Sequence, residues 1–188
     1  FSHLTEISRG RFNISFKATD RKTEKSVHIK VFDSSVHDDK LFGYLLRMYS
    51  VGVSNAIPVL GCKYPLSKYE RMKLPSEATG YIVTEFIPNG NLEDHLQNYH
   101  NGIDKEKLNS TRRTKIIFGI AAIMKKYHSH QILHQDLSAS KILLDENFEP
   151  YIGYTSSKRI ISDYICLTMA LGEPLYKAPE QLENKYSN

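Results

Sequence analysis

Chemistry-bearing side chains are densest in His134-Gln135-Asp136-Leu137-Ser138-Ala139-Ser140-Lys141, which runs directly into the apolar Ile142-Leu143-Leu144-Asp145. A carboxylate placed there can accept a proton from a hydroxyl, and a nearby ammonium can neutralise that carboxylate or an incoming anion. A second ammonium, Lys30, ends the run Val27-His28-Ile29-Lys30, and a lone glycine, Gly10, stands within Ile7-Ser8-Arg9-Gly10-Arg11-Phe12-Asn13-Ile14-Ser15. Near the end lies Gly172-Glu173-Pro174-Leu175-Tyr176-Lys177-Ala178-Pro179-Glu180. Sulfur chemistry is thin. Cys62 and Cys166 are far apart and lack C-x-x-C spacing, which argues against a disulfide framework or zinc site and for a reducing compartment.

These residues need elements to hold them. Phe12, Ile14 and Phe16 are spaced by two, as are Val27, Ile29 and Val31, with a charged turn over 19–25, so a hairpin is predicted. A helical stretch with Leu41, Leu45 and Met48 on one face follows, then a short strand over 57–61 and a polar, Pro-containing loop over 63–80. Residues 81–87 form a β-rich run that Pro88-Asn89-Gly90-Asn91 stops, and Asn91 is a suitable cap for a helix over 92–98. Ile116, Ile117, Ile120, Ala121, Met124 and Tyr127 recur at helical spacing across 110–129, with Ser110 or Thr111 as start signals. Short β-like pieces follow at 132–133, 142–144 and 151–152. The order predicts an α+β chain: a β-rich part with one helix over 1–87, then a mainly helical part over 88–188.

Composition limits the function classes. The chain of 188 residues is 40% hydrophobic and 24% charged, enough for a real core. Its 25 basic and 21 acidic residues are spread without blocks, so the net charge of +4 is read as surface solubility rather than a nucleic-acid face. No apolar run reaches the roughly 18 residues of a membrane span. Neither nucleic acid nor membrane is an expected partner. The chain begins at Phe1 and carries no secretory pattern, which suits a piece of a longer, cytoplasmic protein.

Taken in order, the motifs resemble those of the eukaryotic protein kinase domain. Residues 134–145 are similar to the catalytic loop H-R-D-L-x-x-x-N with its following strand, and Val27-His28-Ile29-Lys30 is similar to the V-A-I-K strand. Residues 7–15 take the place of the glycine-rich loop, 82–92 resemble the hinge with Thr84 at the gatekeeper place, and Ala178-Pro179-Glu180 resembles A-P-E. Each match is weak alone, but their order and spacing make them strong together, in the style of the tyrosine-kinase-like serine/threonine kinases. The resemblance implies a two-lobed kinase-like fold with nucleotide-binding places at Gly10, Lys30, Glu85, Ile87 and Leu143, and a catalytic place at Asp136. Eight residues follow Glu180, so the large lobe stops before its later helices, and the chain alone is expected to expose an apolar face.

Against that pattern the chemistry is depleted. Ser8 and Asn13 replace two glycines that let backbone N–H groups approach phosphates. The glutamate that orients the family's strand lysine would fall at Tyr44 or Leu45, and Asp38 and Asp39 come over a turn too early. His28 replaces the small alanine that covers adenine, and Ser15 the valine beside it, so an apolar ceiling becomes a bulky polar one. Gln135 replaces the arginine that pairs with a phosphorylated activation segment, and Ser138 the usual lysine. Asp136 is retained. Lys141 stands at the place of the magnesium-binding asparagine, and Tyr154-Thr155-Ser156 where D-F-G should follow Gly153. Magnesium requires oxygen donors, so no metal site is expected. Lys141 either stands in for the metal or pairs with Asp136. Ser156, Ser157, Ser162, Tyr164 and Thr168 are assigned no role.

Three readings follow from the resemblance. The first is an inactive kinase-like module that binds other signalling proteins, regulating or scaffolding them, with Asp136 idle and no cofactor. The second is a divergent serine/threonine kinase with weak phosphotransfer, for which ATP and Mg²⁺ would be the cofactors. The third is a fragment of a decayed kinase gene without a function of its own.

Overall fold

In the computed structural model the described residues are 1–10, 13–33, 57–65, 78–103, 105–132, 134, 137–153, 176 and 179. The chain divides into two compact units, Phe1–Pro88 and Asn89–Asn188. The expected helix around Leu41, Leu45 and Met48 lies outside the described residues, as do Phe12, Asp38, Asp39 and Tyr44. The architecture is α+β.

The first unit is built on an antiparallel sheet of β1 (Ser2–Arg9), β2 (Asn13–Thr19), β3 (Ser26–Asp33), β4 (Val59–Lys63) and β5 (Ala78–Glu85), in the order β1-β2-β3-β5-β4. The predicted hairpin is β2–β3. Its turn is tied by Asp20, whose carboxylate accepts from the Lys22 N–H at 3.1 Å and the Thr23 hydroxyl at 2.8 Å. β3 lies in the middle. Alternation puts Val27, Ile29 and Val31 into the core with Ala18, Ala78 and Val83, against partly buried Phe16 and Tyr81. β1 was not foreseen in the sequence. Its Leu4 and Ile7 are half exposed and break period two, and the pairing with β2 shifts register twice.

In the second unit α1 (Leu92–His100) starts as predicted at Asn91, whose side-chain oxygen accepts the Asp94 N–H at 2.9 Å. α2 spans Ser110–Ser129, but its cap is Asn109, accepting the Arg112 N–H at 2.9 Å, rather than Ser110 or Thr111. Ile116, Ile123 and Tyr127 are its buried residues, whereas Ile117 and Phe118 are 68% and 76% exposed. The expected stripe therefore holds at Ile116 and Tyr127 and fails at Ile117 and Ala121, which face outward. Two short strands, β6 (Ile142–Leu144) and β7 (Pro150–Ile152), pair antiparallel. Ile132 is buried but in no strand. Their turn is organised by Asp145, whose Oδ1 accepts the N–H groups of Asn147 and Glu149 at 2.8 Å each.

Two further contacts fix the strands of this unit. Asn89 N–H donates to the Leu144 carbonyl at 3.1 Å and Leu144 N–H to the Gly90 carbonyl at 2.9 Å, so the chain entering α1 is stitched to β6. Gly119 of α2 meets Pro150 of β7 so closely that a Cβ built there would stand 2.5 Å from the Pro150 Cγ. Proline is rigid and buried at that point, so it cannot yield as a long side chain would. Gly119→Ala is therefore expected to lose about 1–3 kcal/mol of stability by overpacking. A thermal melt beside Ala122→Gly, an exposed change on the same helix that costs about 1 kcal/mol through propensity alone, would show it. A Gly119→Ala chain as stable as the parent contradicts the close packing.

Candidate functional site

The two sides of β3 differ in chemistry. With the Val27, Ile29 and Val31 side buried in the core, parity turns His28 and Lys30 to the opposite side. Register lines up Lys17, His28 and Thr84 as one cross-strand row, and Ser15, Lys30 and Ile82 as the next. Thr84 is 2% exposed and its Oγ1 lies 3.4 Å from His28 Nδ1. The same hydroxyl donates to the Glu85 carbonyl at 3.2 Å. Lys17, on the other flank of His28, holds its ammonium 4.4 Å from the centroid of the Phe86 ring. The gatekeeper place, the alanine place and the strand lysine of the resemblance thus fall on one face.

Burial sets the charge of His28. Its pKa is lowered from 6.5 to about 4, chiefly because burial disfavours the imidazolium and secondarily because of the Lys30 ammonium. At neutral pH it is an uncharged ring. Of the other nucleotide-binding places in this unit, Gly10 closes the β1–β2 turn, its N–H donating to the Asn13 carbonyl at 2.8 Å. A Cβ at Gly10 would also touch the Asn13 side-chain oxygen at 3.4 Å. Glu85 is exposed, its N–H donating to the Pro58 carbonyl at 3.1 Å. Ile87 is 8% exposed, and among the described residues no hydrogen bond engages its backbone N–H or carbonyl.

The remnant of the catalytic loop lies in the second unit. His134 is 1% exposed, and its Nε2 donates to the Gly153 carbonyl at 2.8 Å. Gly153 N–H in turn donates to the Lys141 carbonyl at 2.6 Å. A Cβ on Gly153 would stand 3.0 Å from that carbonyl oxygen, a tight contact that glycine avoids. These bonds bring Lys141 against the residue immediately before Tyr154. Leu143 is half-buried in β6, opposite Tyr151. Ser138 and Ser140 share a hydroxyl hydrogen bond of 2.8 Å. Asp136, Gln135 and Tyr154 lie outside the described residues, as do Ser156, Ser157, Ser162, Tyr164 and Thr168. Among the described residues no carboxylate pairs with the Lys141 ammonium and no three His, Cys, Asp or Glu side chains form a metal cage.

Sequence reasoning singled out His28, Thr84 and Lys141, but not the bonds that organise them. The Lys17–Phe86 contact and the Gly153–Lys141 bond were missed. Gly153, the glycine before Tyr154, was the available signal for the second, since a close backbone approach selects glycine. No helix among the described residues is long and apolar enough to cross a membrane.

The family model "Protein tyrosine and serine/threonine kinase" matches residues 2–187. The chain is 28% identical over 179 residues to "Serine/threonine-protein kinase SIK2" of Gallus gallus, covering 95% of this chain and 21% of that protein. It is equally 28% identical over 179 residues to "Serine/threonine-protein kinase SIK3 homolog" of Danio rerio, with 95% and 14% covered. It is 26% identical over 189 residues to "L-type lectin-domain containing receptor kinase I.7" of Arabidopsis thaliana, with 96% and 26% covered. The chain thus spans between 14% and 26% of the length of these relatives.

The buried imidazole gives a pH signature. The unfolded chain binds the His28 proton near pH 6.5 and the folded chain only near 4, so protonation favours unfolding across that window. The stability that neutral His28 supports is present above about 6.5 and falls as pH drops toward about 4. Melting temperatures taken from pH 7.5 to 4.5 should fall less steeply for His28→Ala than for the parent. Parallel curves would show that the imidazole is not desolvated.

Proposed function

Since the chain belongs to the protein tyrosine and serine/threonine kinase family, we propose that it is a kinase-shaped regulatory or scaffolding module in signalling that does not transfer phosphate effectively. The reading rests on the residues at the magnesium places. Lys141 supplies a cation where the family needs an oxygen donor, and Tyr154 supplies a phenol where it needs a carboxylate. Support comes from the Gly153 N–H to Lys141 carbonyl bond, which ties Lys141 by backbone alone to the residue that precedes Tyr154 in the sequence. Phosphoryl transfer is positioning plus charge neutralisation, and the loss of one focused charge interaction commonly slows a reaction about 10²–10³-fold. Asp136, which would take the hydroxyl proton, is left without a metal-bound phosphate to act on.

Under this reading Gly10, Lys30, Glu85, Ile87 and Leu143 keep the family's nucleotide-binding places without forming a working cradle. The Gly10 N–H already has the Asn13 carbonyl as its acceptor, and the Glu85 carbonyl already accepts from Thr84. The partners are other signalling proteins of the cytoplasm, recognised through the surface of the folded domain. A second reading, a divergent serine/threonine kinase using Lys30 and Asp136, is favoured by the retention of those two residues and by the kinase names of the relatives.

A thermal-shift titration separates the two. At 100 times Kd a ligand adds about 2.7 kcal/mol of stability. We expect no shift from ATP with Mg²⁺ at millimolar concentration, and no phosphate incorporated into a generic protein substrate. A magnesium-dependent shift, with phosphotransfer that Asp136→Asn abolishes, would establish the second reading instead.

A further inference from the structure

We propose that the His28 side chain, held beside Thr84 on the polar face of the first unit's sheet, is an intrinsic plug that occupies the wall against which a planar nucleobase would lie. The inference rests on the reading that this chain does not work through Mg-ATP, and adds a second, separate cause located in the first unit.

A flat ring needs a flat wall to lie against. One face of the sheet is filled by Val27, Ile29, Val31, Ala18, Ala78 and Val83, and the opposite face carries His28 and Lys30, with buried Ser15, Ile82 and Thr84 beside them in register. At its centre the middle strand presents an imidazole. Both cross-strand neighbours of that ring are engaged: Thr84 with His28 itself and with the Glu85 carbonyl, Lys17 with the Phe86 ring. Turning the ring toward β5 meets a side chain that is 2% exposed, and turning it toward β2 disturbs the cation–ring contact. Burial also keeps the ring uncharged, so it behaves as packing rather than as an anchor for phosphate.

The edge-recognition groups, by contrast, remain. Ile87, three residues after Thr84, carries a backbone N–H and a carbonyl that no described residue engages, although it is nearly buried. One donor beside one acceptor suits the hydrogen-bonding edge of a base. The first unit therefore retains the means to read a base edge but not the flat surface to stack its ring. Removing the imidazole should restore that surface without any metal or phosphate chemistry.

The test uses adenosine, which has no phosphate, in the presence of EDTA, with calorimetric titration and thermal shift on the chain. His28→Ala and, as a second small residue, His28→Ser are expected to bind adenosine at least about tenfold more tightly than the parent, which should show no measurable shift. In the parent, NMR cross-peaks between the His28 ring and the Thr84 methyl are expected, a reading that requires no substitution. Equal adenosine affinity in parent and variants overturns the plug. So do folded variants, judged by circular dichroism, that bind no adenosine, or a His28 ring without contact to Thr84. A magnesium-dependent ATP shift in the parent would overturn the proposed function, whereas failure of the variants alone would overturn only the plug.

Discussion

One constraint governs the first unit: β3 sits between β2 and β5, so its two faces cannot share a chemistry. Period-two alternation sends Val27, Ile29 and Val31 into the core, and every second residue between them must face the other way. A slip of one residue would bury Lys30 and expose three β-branched side chains, so the register is strongly specified. Lys17, His28 and Thr84 form a row because their strands pair in that register, and the row is polar because the other face has taken the apolar residues. Packing thus decides where the candidate site lies before any of its chemistry is considered.

The second unit reaches a comparable order with backbone groups. His134 is buried, so its ring nitrogen needs a partner, and the Gly153 carbonyl provides it at 2.8 Å. The next link, from the Gly153 N–H to the Lys141 carbonyl, is close enough that a Cβ at residue 153 would crowd that carbonyl oxygen at 3.0 Å. Neither bond depends on what side chain stands at 141 or 154. A scaffold fixed by backbone can keep its shape while the side chains at the reacting places change, so a family likeness over residues 2–187 is compatible with Lys141 and Tyr154 at the places proposed to have lost their metal ligands.

Much of this was legible in the sequence, for identifiable reasons. Alternation at Val27, Ile29 and Val31 announced the hairpin, and Asn91 announced α1, because a short polar side chain before a helix accepts an orphan N–H. The cap of α2 was misplaced because Asn109, Ser110 and Thr111 are all competent caps, and only backbone geometry selects among them. The stripe on α2 failed at Ile117 because period 3.6 locates an apolar band without saying which edge of it is covered. Within the candidate site, the identities at 28, 141 and 154 could be read directly. The contact of Lys17 with Phe86 joins residues distant in sequence and has no local signature, whereas that of Gly153 with Lys141 is signalled only by the glycine.

The proposed loss of function also has a stability logic. In a nucleotide-dependent domain, bound ligand satisfies polar groups that the empty protein leaves to water, and mass action then links stability to ligand concentration. Here two groups at the family's nucleotide-binding places find partners within their own unit: Gly10 N–H with Asn13 and the Glu85 carbonyl with Thr84. Each such bond is worth about 0.5–1.5 kcal/mol net, and leaving the group buried and unmade costs more. Under the proposed function, a chain organised this way would gain little from a nucleotide, and its surface would not vary with nucleotide supply. That constancy suits a docking module better than a switch. Ile87 is the exception, a nearly buried residue whose backbone N–H and carbonyl have no partner among the described residues.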